Sequence, residues 1–363
     1  MGLTENVEKL MEKRPAQVAK KLGSASRVLL VSSDPVFRAL KDHKVIIMAC
    51  NTRIKHVIPG IMRAAQELDA IIAFELAKSE GNLKGGYTGM DPYIFFDTIM
   101  GYAEKTKLTK PFFIHGDHTT TKSKDPEVIA DSRALIKAEL DAGYTSVAID
   151  ASFNQIPDNI IVTTDLGRDV KAAGAGLEVE VGEIKSVGYE GDITTVEEAV
   201  DFITGLEKNG IQPNLLAINN GSKHGNYLPG EEVHIDLKRT GEIYDAIKKW
   251  GVNIAQHGIT GTPLSLVGQF ADYGIRKGNV GTNWQNIAHD CLPKDLMQSM
   301  RDWAKQEGKD IKFATKQFYS EIDNIPEEYK KKTEDVAYQS AKEFIEAFRA
   351  TGTATLFLES GII

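Results

Sequence analysis

The feature that most restricts this chain is a regular alternation. Short runs of β-branched and aliphatic residues are separated by longer stretches with helical periodicity. Eight such runs occur: VIIMAC (45–50), AIIAFEL (70–76), PFFIHG (111–116), TSVAID (145–150), LEVEVG (177–182), NLLAIN (214–219), VNIAQHG (252–258) and IRKGNV (275–280). Between them lie IPGIMRAAQEL, PEVIADSRALIKAELDAG, VEEAVDFITGLEKNG and LKRTGEIYDAIKKWG, each with apolar residues at i, i+3, i+4 and i+7. Three of these stretches end at Gly143, Gly210 and Gly251, where a left-handed residue stops a helix. Eight strand–helix alternations over about 240 residues predict an α/β fold, a closed TIM (β/α)8 barrel with right-handed crossovers. An open doubly wound sheet is the competing fold, but no GxGxxG turn follows the first strand.

The chain reads as a single domain, 1–363, with the barrel at about 43–307 and extra N- and C-terminal helices at 1–42 and 308–363. The leading segment is expected to form one or two helices outside the barrel. These appendages are the expected means of homo-oligomer formation. A net charge of −8 argues against nucleic acid or an anionic membrane as partner, so an anionic ligand has to be captured locally. Two cysteines, Cys50 and Cys291, imply no disulfide framework. No run approaches the ~18 apolar residues of a membrane span, and the N-terminus lacks the apolar core of a signal peptide. A soluble, cytoplasmic protein is expected.

Of the eight histidines, position singles out three. His118 follows the third strand, His224 the sixth, and His257 ends the seventh, so all three belong at the C-terminal mouth of a barrel, where active sites lie. Glu178 and Glu180 alternate in the fifth strand. Carboxylates turned into a barrel interior are costly unless paired or metal-bound. Three imidazoles and a carboxylate at one mouth suit Zn²⁺.

Six segments then carry a resemblance, in order and over about residues 45–350. IHGDH (114–118), AIDAS (148–152), LEVEVG (177–182), GSKHGNY (221–227), QHGITG (256–261) and GNVGTN (278–283) resemble motifs of the class II, zinc-dependent fructose-bisphosphate and tagatose-bisphosphate aldolases. The resemblance implies cleavage of a phosphorylated ketose, a small-molecule sugar phosphate, into dihydroxyacetone phosphate and an aldehyde through a metal-stabilised enediolate. It implies that His118, Glu180, His224 and His257 hold one catalytic zinc, or exchange places in that shell. Asp117 is the acid/base for the C4 hydroxyl, and Glu190 the mobile-loop residue that handles the proton on the nucleophilic carbon. Asp150 and Glu178 resemble a second, more buried cation position, and read equally well as a hydrogen-bonded structural pair. Asn51, Gly225, Gly258, Thr260, Gly261, Asn279 and Thr282 are the implied substrate and phosphate contacts, with ordinary turn chemistry as the alternative for the glycines. His115 reads as structural. Lys277 is the only strand lysine that tempts a Schiff-base mechanism.

Three departures bear on the substrate. Gly281 stands where the family has Asp in N-x-D-T, Glu75 where it has Ser, and Glu327 in IPEEYKKK where an arginine for the distal phosphate is common. Both glutamates are expected near the phosphate pocket, with Lys330, Lys331 and Lys332 compensating. That opens the alternative of a ketose 1-phosphate without a distal phosphate. KGGYTGMDP (84–92) resembles a segment of the non-catalytic companion subunits of tagatose-bisphosphate aldolases, and a zinc-dependent sugar epimerase shares the chemistry. These remain rival readings.

Overall fold

A computed structural model describes residues 2–182, 192–227 and 233–362. Its strands are β1 (Ile47–Asn51), β2 (Ile72–Ala77), β3 (Phe112–Thr120), β4 (Ser146–Asp150), β5 (Gly176–Val181), β6 (Leu215–Ile218), β7 (Asn253–Gln256) and β8 (Ile275–Val280). All pair in parallel and in sequence order, and β8 returns to β1, so the barrel is closed. Each of the eight expected runs became a strand. The helices are α1 (Leu3–Glu12), α2 (Ala16–Leu22), α3 (Ser33–Leu40), α4 (Ile58–Glu67), α5 (Pro92–Lys105), α6 (Pro126–Ala142), α7 (Ile156–Ala172), α8 (Val196–Lys208), α9 (Leu237–Ile247), α10 (Leu264–Val267), α11 (Thr282–Cys291), α12 (Lys294–Glu307), α13 (Ala314–Gln317), α14 (Tyr319–Asp323), α15 (Glu327–Ala347) and α16 (Thr353–Ser360). No described helix is long and apolar enough to cross a membrane.

The leading segment differs from expectation. It forms three helices, and α3 does not lie outside the barrel but closes its N-terminal end. Val36, Phe37 and Leu40 pack with the inward residues Ile47, Ala49, Phe113, Leu215 and Ala255, and with Phe357 of α16. Phe37 meets Phe113 edge-on at 5.8 Å. These apolar side chains fill the lower barrel, so the charged layers above them are cut off from water at that end. The larger core lies between strands and helices, built from outward residues such as Met48, Phe74, Ile114, Val147 and Val179.

The long helix α15 seals the barrel wall at α4. A Cβ on Gly60 would lie 2.1 Å from the Glu334 carbonyl oxygen, so only glycine lets the two backbones approach so closely.

Register stacks the inward side chains in layers. Asn51 pairs with Glu75, Glu75 with His115, and His115 with Ser146. Ala77 pairs with Asp117 one step higher. The third strand breaks step here. Its register against β4 shifts between Gly116 and Thr119, and His118 has φ 42°. Strict alternation would send Asp117 and His118 to opposite faces. The irregularity turns both toward the mouth.

Candidate active site

The C-terminal mouth holds one cavity of about 1210 Å³. His118, Asp117, Asp150, Glu180, His224 and His257 all line it. The imidazole centroids of His118 and His257 lie 4.3 Å apart, and His224 stands 5.3 Å from the first and 6.0 Å from the second. Ligand atoms of Asp117, His118 and His257 come within 4.8 Å of one another, as do those of His118, Asp150 and Glu180. His224 belongs to neither of these tight groups, but its ring stands beside both other imidazoles.

The donor set fits a divalent metal ion. Glu180 Oε2 lies 3.0 Å from His118 Nδ1 and Asp150 Oδ2 3.4 Å from it, whereas His118 Nε2 is buried without a partner among the described residues. On the other ring, His257 Nε2 meets Glu178 Oε1 at 2.9 Å, which leaves Nδ1 free to face the cavity. Carboxylates holding the far nitrogen of an imidazole are what orients metal-binding histidines. Burial pushes the His224 imidazole down to about 3, helped by His118 and His257, and lowers His257 as well, so both keep a lone pair at neutral pH. Burial also raises Glu180 to about 7, with Asp150 adding to the effect.

Asp117 is held from both sides. Asn51 Nδ2 donates to its Oδ2 at 2.9 Å and Asn279 Nδ2 to its Oδ1 at 3.1 Å. Burial alone would raise this carboxyl, but His118, Lys277 and His257 outweigh it and keep Asp117 well below the usual carboxylate range. Asn51 and Asn279, expected as substrate contacts, both donate to Asp117 here.

Beneath this layer lies a buried charge cluster. Lys277 Nζ sits 2.9 Å from Glu178 Oε2 and 3.1 Å from Glu75 Oε2, and donates to Asn279 Oδ1. His115 Nε2 is 3.5 Å from Glu178, and its Nδ1 contacts Ser146 Oγ at 2.7 Å. One ammonium serves two carboxylates. Burial opposes the charge on Glu178, but Lys277 and the His257 hydrogen bond overcome it and hold Glu178 low; burial pushes Glu75 well up despite Lys277. Lys277, though buried, is held firmly protonated by Glu178 and Glu75. A lysine so fixed is no nucleophile for a Schiff base.

Other expectations moved. Glu75 does not face a phosphate pocket: it is fully buried under the site. Glu327 does not either. It begins α15, pairs with Lys330 at 2.7 Å, and its side chain is 84% exposed. Asp150 and Glu178 fall in different clusters, and the cation beside Glu178 is the Lys277 ammonium. Gly225, Gly258, Thr260, Asn279 and Thr282 line the cavity. Gly261 is not among the lining residues and packs against the Tyr227 ring. Glu190 lies outside the described residues. Reading the sequence missed the Arg53–Glu80 pair, two bonds of 2.7 Å in the cavity wall. Only an arginine just past a strand end, in NTR, signalled it.

Comparison with known proteins agrees with this geometry. The family model described as fructose-bisphosphate aldolase class-II matches residues 31–353. The chain belongs to this family. As a class II aldolase it is a carbon–carbon lyase of a metal-dependent family, and its His/Asp/Glu clusters could hold the metal. The fructose-bisphosphate aldolase of Staphylococcus epidermidis is 27% identical over 279 residues, covering 75% of this chain and 88% of the relative. That of Geobacillus stearothermophilus is 28% identical over 244 residues, covering 66% and 75%. Among solved structures, fructose-bisphosphate aldolase from Campylobacter jejuni superposes with a TM-score of 0.66 at 17% identity, covering 89% of this chain and 97% of that one. The YdjI aldolase from Escherichia coli K12 gives 0.64 at 19%, covering 90% and 99%. These likenesses show the same barrel.

Proposed function

We propose that this class II aldolase is zinc-dependent and reversibly cleaves a phosphorylated ketose of the fructose 1,6-bisphosphate type to dihydroxyacetone phosphate and an aldehyde. The observation that carries the reading is the grouping of Asp117, His118 and His257, whose ligand atoms lie within 4.8 Å of one another at the barrel mouth. His118 through Nε2, His257 through Nδ1 and the neighbouring His224 would hold the ion, with Glu180 in reserve as a fourth ligand. Zinc favours such nitrogen-rich sets. When bound, it supplies Lewis acidity worth several kcal/mol to the oxygen that gains negative charge as the carbon–carbon bond breaks.

The chain's own residues do the rest. In the cleavage direction Asp117 accepts the proton of the C4 hydroxyl, and in synthesis it returns it. Asn51 and Asn279 each occupy one Asp117 oxygen, which fixes the carboxylate plane and leaves its remaining lone pairs for substrate. Thr282, at the first position of α11, together with Gly225, Gly258 and Thr260, forms the wall that would take the phosphate of the dihydroxyacetone half; a helix N-terminus favours an anion there. Glu190 is the proposed base for the nucleophilic carbon.

Metal analysis of the purified protein, followed by a cleavage assay on fructose 1,6-bisphosphate, tests the reading. Stoichiometric zinc and triose phosphate release that stops with chelator and returns with Zn²⁺ are expected. Cleavage indifferent to chelator would overturn the zinc assignment.

A further inference from the structure

The cavity that holds the imidazoles has a further wall built from sequence-distant pieces. Arg53 follows β1, Tyr87 lies in the loop before α5, Gln285 and His289 lie one turn apart on α11, and Asp310 and Lys312 come from the turn before α13. All line the same cavity as His118 and His257. Of these residues only Tyr87 belongs to a family-like segment, KGGYTGMDP.

The buried acceptor of this wall, Glu80, is fully engaged. Glu80 Oε1 takes Arg53 Nε at 2.7 Å and the Tyr87 hydroxyl at 3.2 Å, while its Oε2 takes Asn51 Nδ2 at 3.1 Å and the Ala77 amide at 3.0 Å. Asp310 Oδ1 accepts the Lys312 amide at 2.9 Å.

The donors are left over. Gln285, 5% exposed, accepts Arg53 Nη1 at its Oε1 at 2.8 Å. That bond fixes which end of the amide is which, so Gln285 Nε2 is a donor, buried and without a partner among the described residues. His289 Nε2 is likewise buried without a partner among the described residues, and is a donor in the tautomer that carries the proton there. Arg53 uses three of its five N–H groups on Glu80 and Gln285. The Lys312 ammonium has only the Tyr87 and Phe313 rings beside it, at 5.8 and 5.6 Å, with no carboxylate within 4.0 Å among the described residues. A hydroxyl both gives and takes a hydrogen bond, whereas a carboxylate or phosphate only takes. Surplus donors therefore select an oxyanion.

Gly281 belongs to the same arrangement. A Cβ there would lie 3.0 Å from Arg53 Nη2 and 3.1 Å from Asn51 Oδ1. The aspartate of the family motif would crowd the guanidinium and compete with Glu80 for it. Its absence frees the position Arg53 takes.

We propose that Arg53, Gln285, His289 and Lys312 bind a terminal oxyanion, carboxylate or phosphate, at the far end of the aldehyde half of the substrate. This rests on the aldolase reading. The subsite replaces the distal-phosphate arginine that the sequence lacks at Glu327, so the missing motif residue does not imply an uncharged aldehyde.

The test uses zinc-loaded protein in the synthesis direction, with dihydroxyacetone phosphate and three aldehydes: glyceraldehyde, glyceraldehyde 3-phosphate and succinic semialdehyde. At least one acidic aldehyde should exceed glyceraldehyde more than tenfold in kcat/KM, and which one does so separates phosphate from carboxylate. In Gln285→Leu and Lys312→Met that ratio should fall at least fivefold. Equal kcat/KM for all three, or a ratio untouched by both substitutions, would overturn the subsite. Exchange of the dihydroxyacetone phosphate C–H in D₂O without aldehyde reads the aldolase chemistry separately. If exchange is absent, that reading fails, and calorimetric binding of glyceraldehyde 3-phosphate still decides the subsite: about tenfold weaker in the variants supports it, and an unchanged Kd refutes it.

Discussion

Lys277 Nζ lies 2.9 Å from Glu178 Oε2, and both side chains are buried inside the barrel directly under the histidines. Glu178 passes its other oxygen to His257 Nε2. The ammonium thus keeps Glu178 ionised, and the ionised carboxylate keeps His257 in the tautomer whose Nδ1 faces the cavity. Lys277→Met strands a buried carboxylate, a change that costs about 3–5 kcal/mol. Urea denaturation should show that loss, together with weaker zinc retention. Adding Glu178→Gln should recover part of the stability, because residues in one network are not additive. If the double variant is as unstable as the sum of the singles, the pair does not act as a unit.

Asp117 and the imidazoles should separate cleanly in a variant series. His224→Ala is expected to lose zinc and activity together. Asp117→Ala should keep zinc while kcat drops about 10²–10⁴-fold, the usual range for removing a positioned acid/base. Zinc content and steady-state turnover on the same preparations decide the matter. Metal kept by the histidine variant, or normal turnover without Asp117, would reverse the roles assigned here.

Gly281 gives a subtler expectation. Its φ of −117° is open to any residue, so Gly281→Ala costs no backbone strain and acts only through the new Cβ. That atom meets Arg53 Nη2 and Asn51 Oδ1, and Asn51 in turn holds Asp117. Stability should change by less than about 1.5 kcal/mol, in the range of modest overpacking. Activity should suffer more, with kcat/KM reduced tenfold or beyond. Unchanged kinetics would mean that the wall relaxes without disturbing Asp117.

The barrel was legible because its signals are local. β-branched runs and amphipathic helices announce themselves over a few residues, and all eight runs became strands. The six family-like segments located the mouth because strand ends fix it. What stayed hidden depends on facing and long-range contact. Nothing in IHGDH announces the register shift that turns Asp117 and His118 the same way. Glu75 was expected near the phosphate pocket, but its register with Asn51 and His115 puts it in the interior, where Lys277, distant in sequence, meets it. Glu327 seemed to occupy a functional motif, yet α15 begins there and points it at solvent. GGYTGM suggested a companion subunit; in the fold it delivers the Tyr87 hydroxyl to Glu80. Helix α3 read as an outer helix because its apolar face gives no clue whether it meets a helix or a barrel end.

Glu139 provides a test by pH that does not pass through the metal. It sits on α6, buried, pressed against β3 where a Gly116 Cβ would lie 2.4 Å from its Oε2. Burial, aided by the negative charge of Asp117 and opposed by Lys78, raises its pKa from 4.5 to about 8. In that window the folded protein keeps the proton while the unfolded chain has lost it, so the folded state binds more protons. Its contribution to stability is therefore fully present below pH 4.5, declines through the window, and is gone above about 8. The slope is at most about 1.4 kcal/mol per pH unit. Glu139→Gln has no proton to lose. Its stability relative to the parent should improve steadily between pH 5 and pH 8 in urea titrations. A difference that stays flat over that range would mean that Glu139 is ionised in the folded state, with its charge compensated by Lys78.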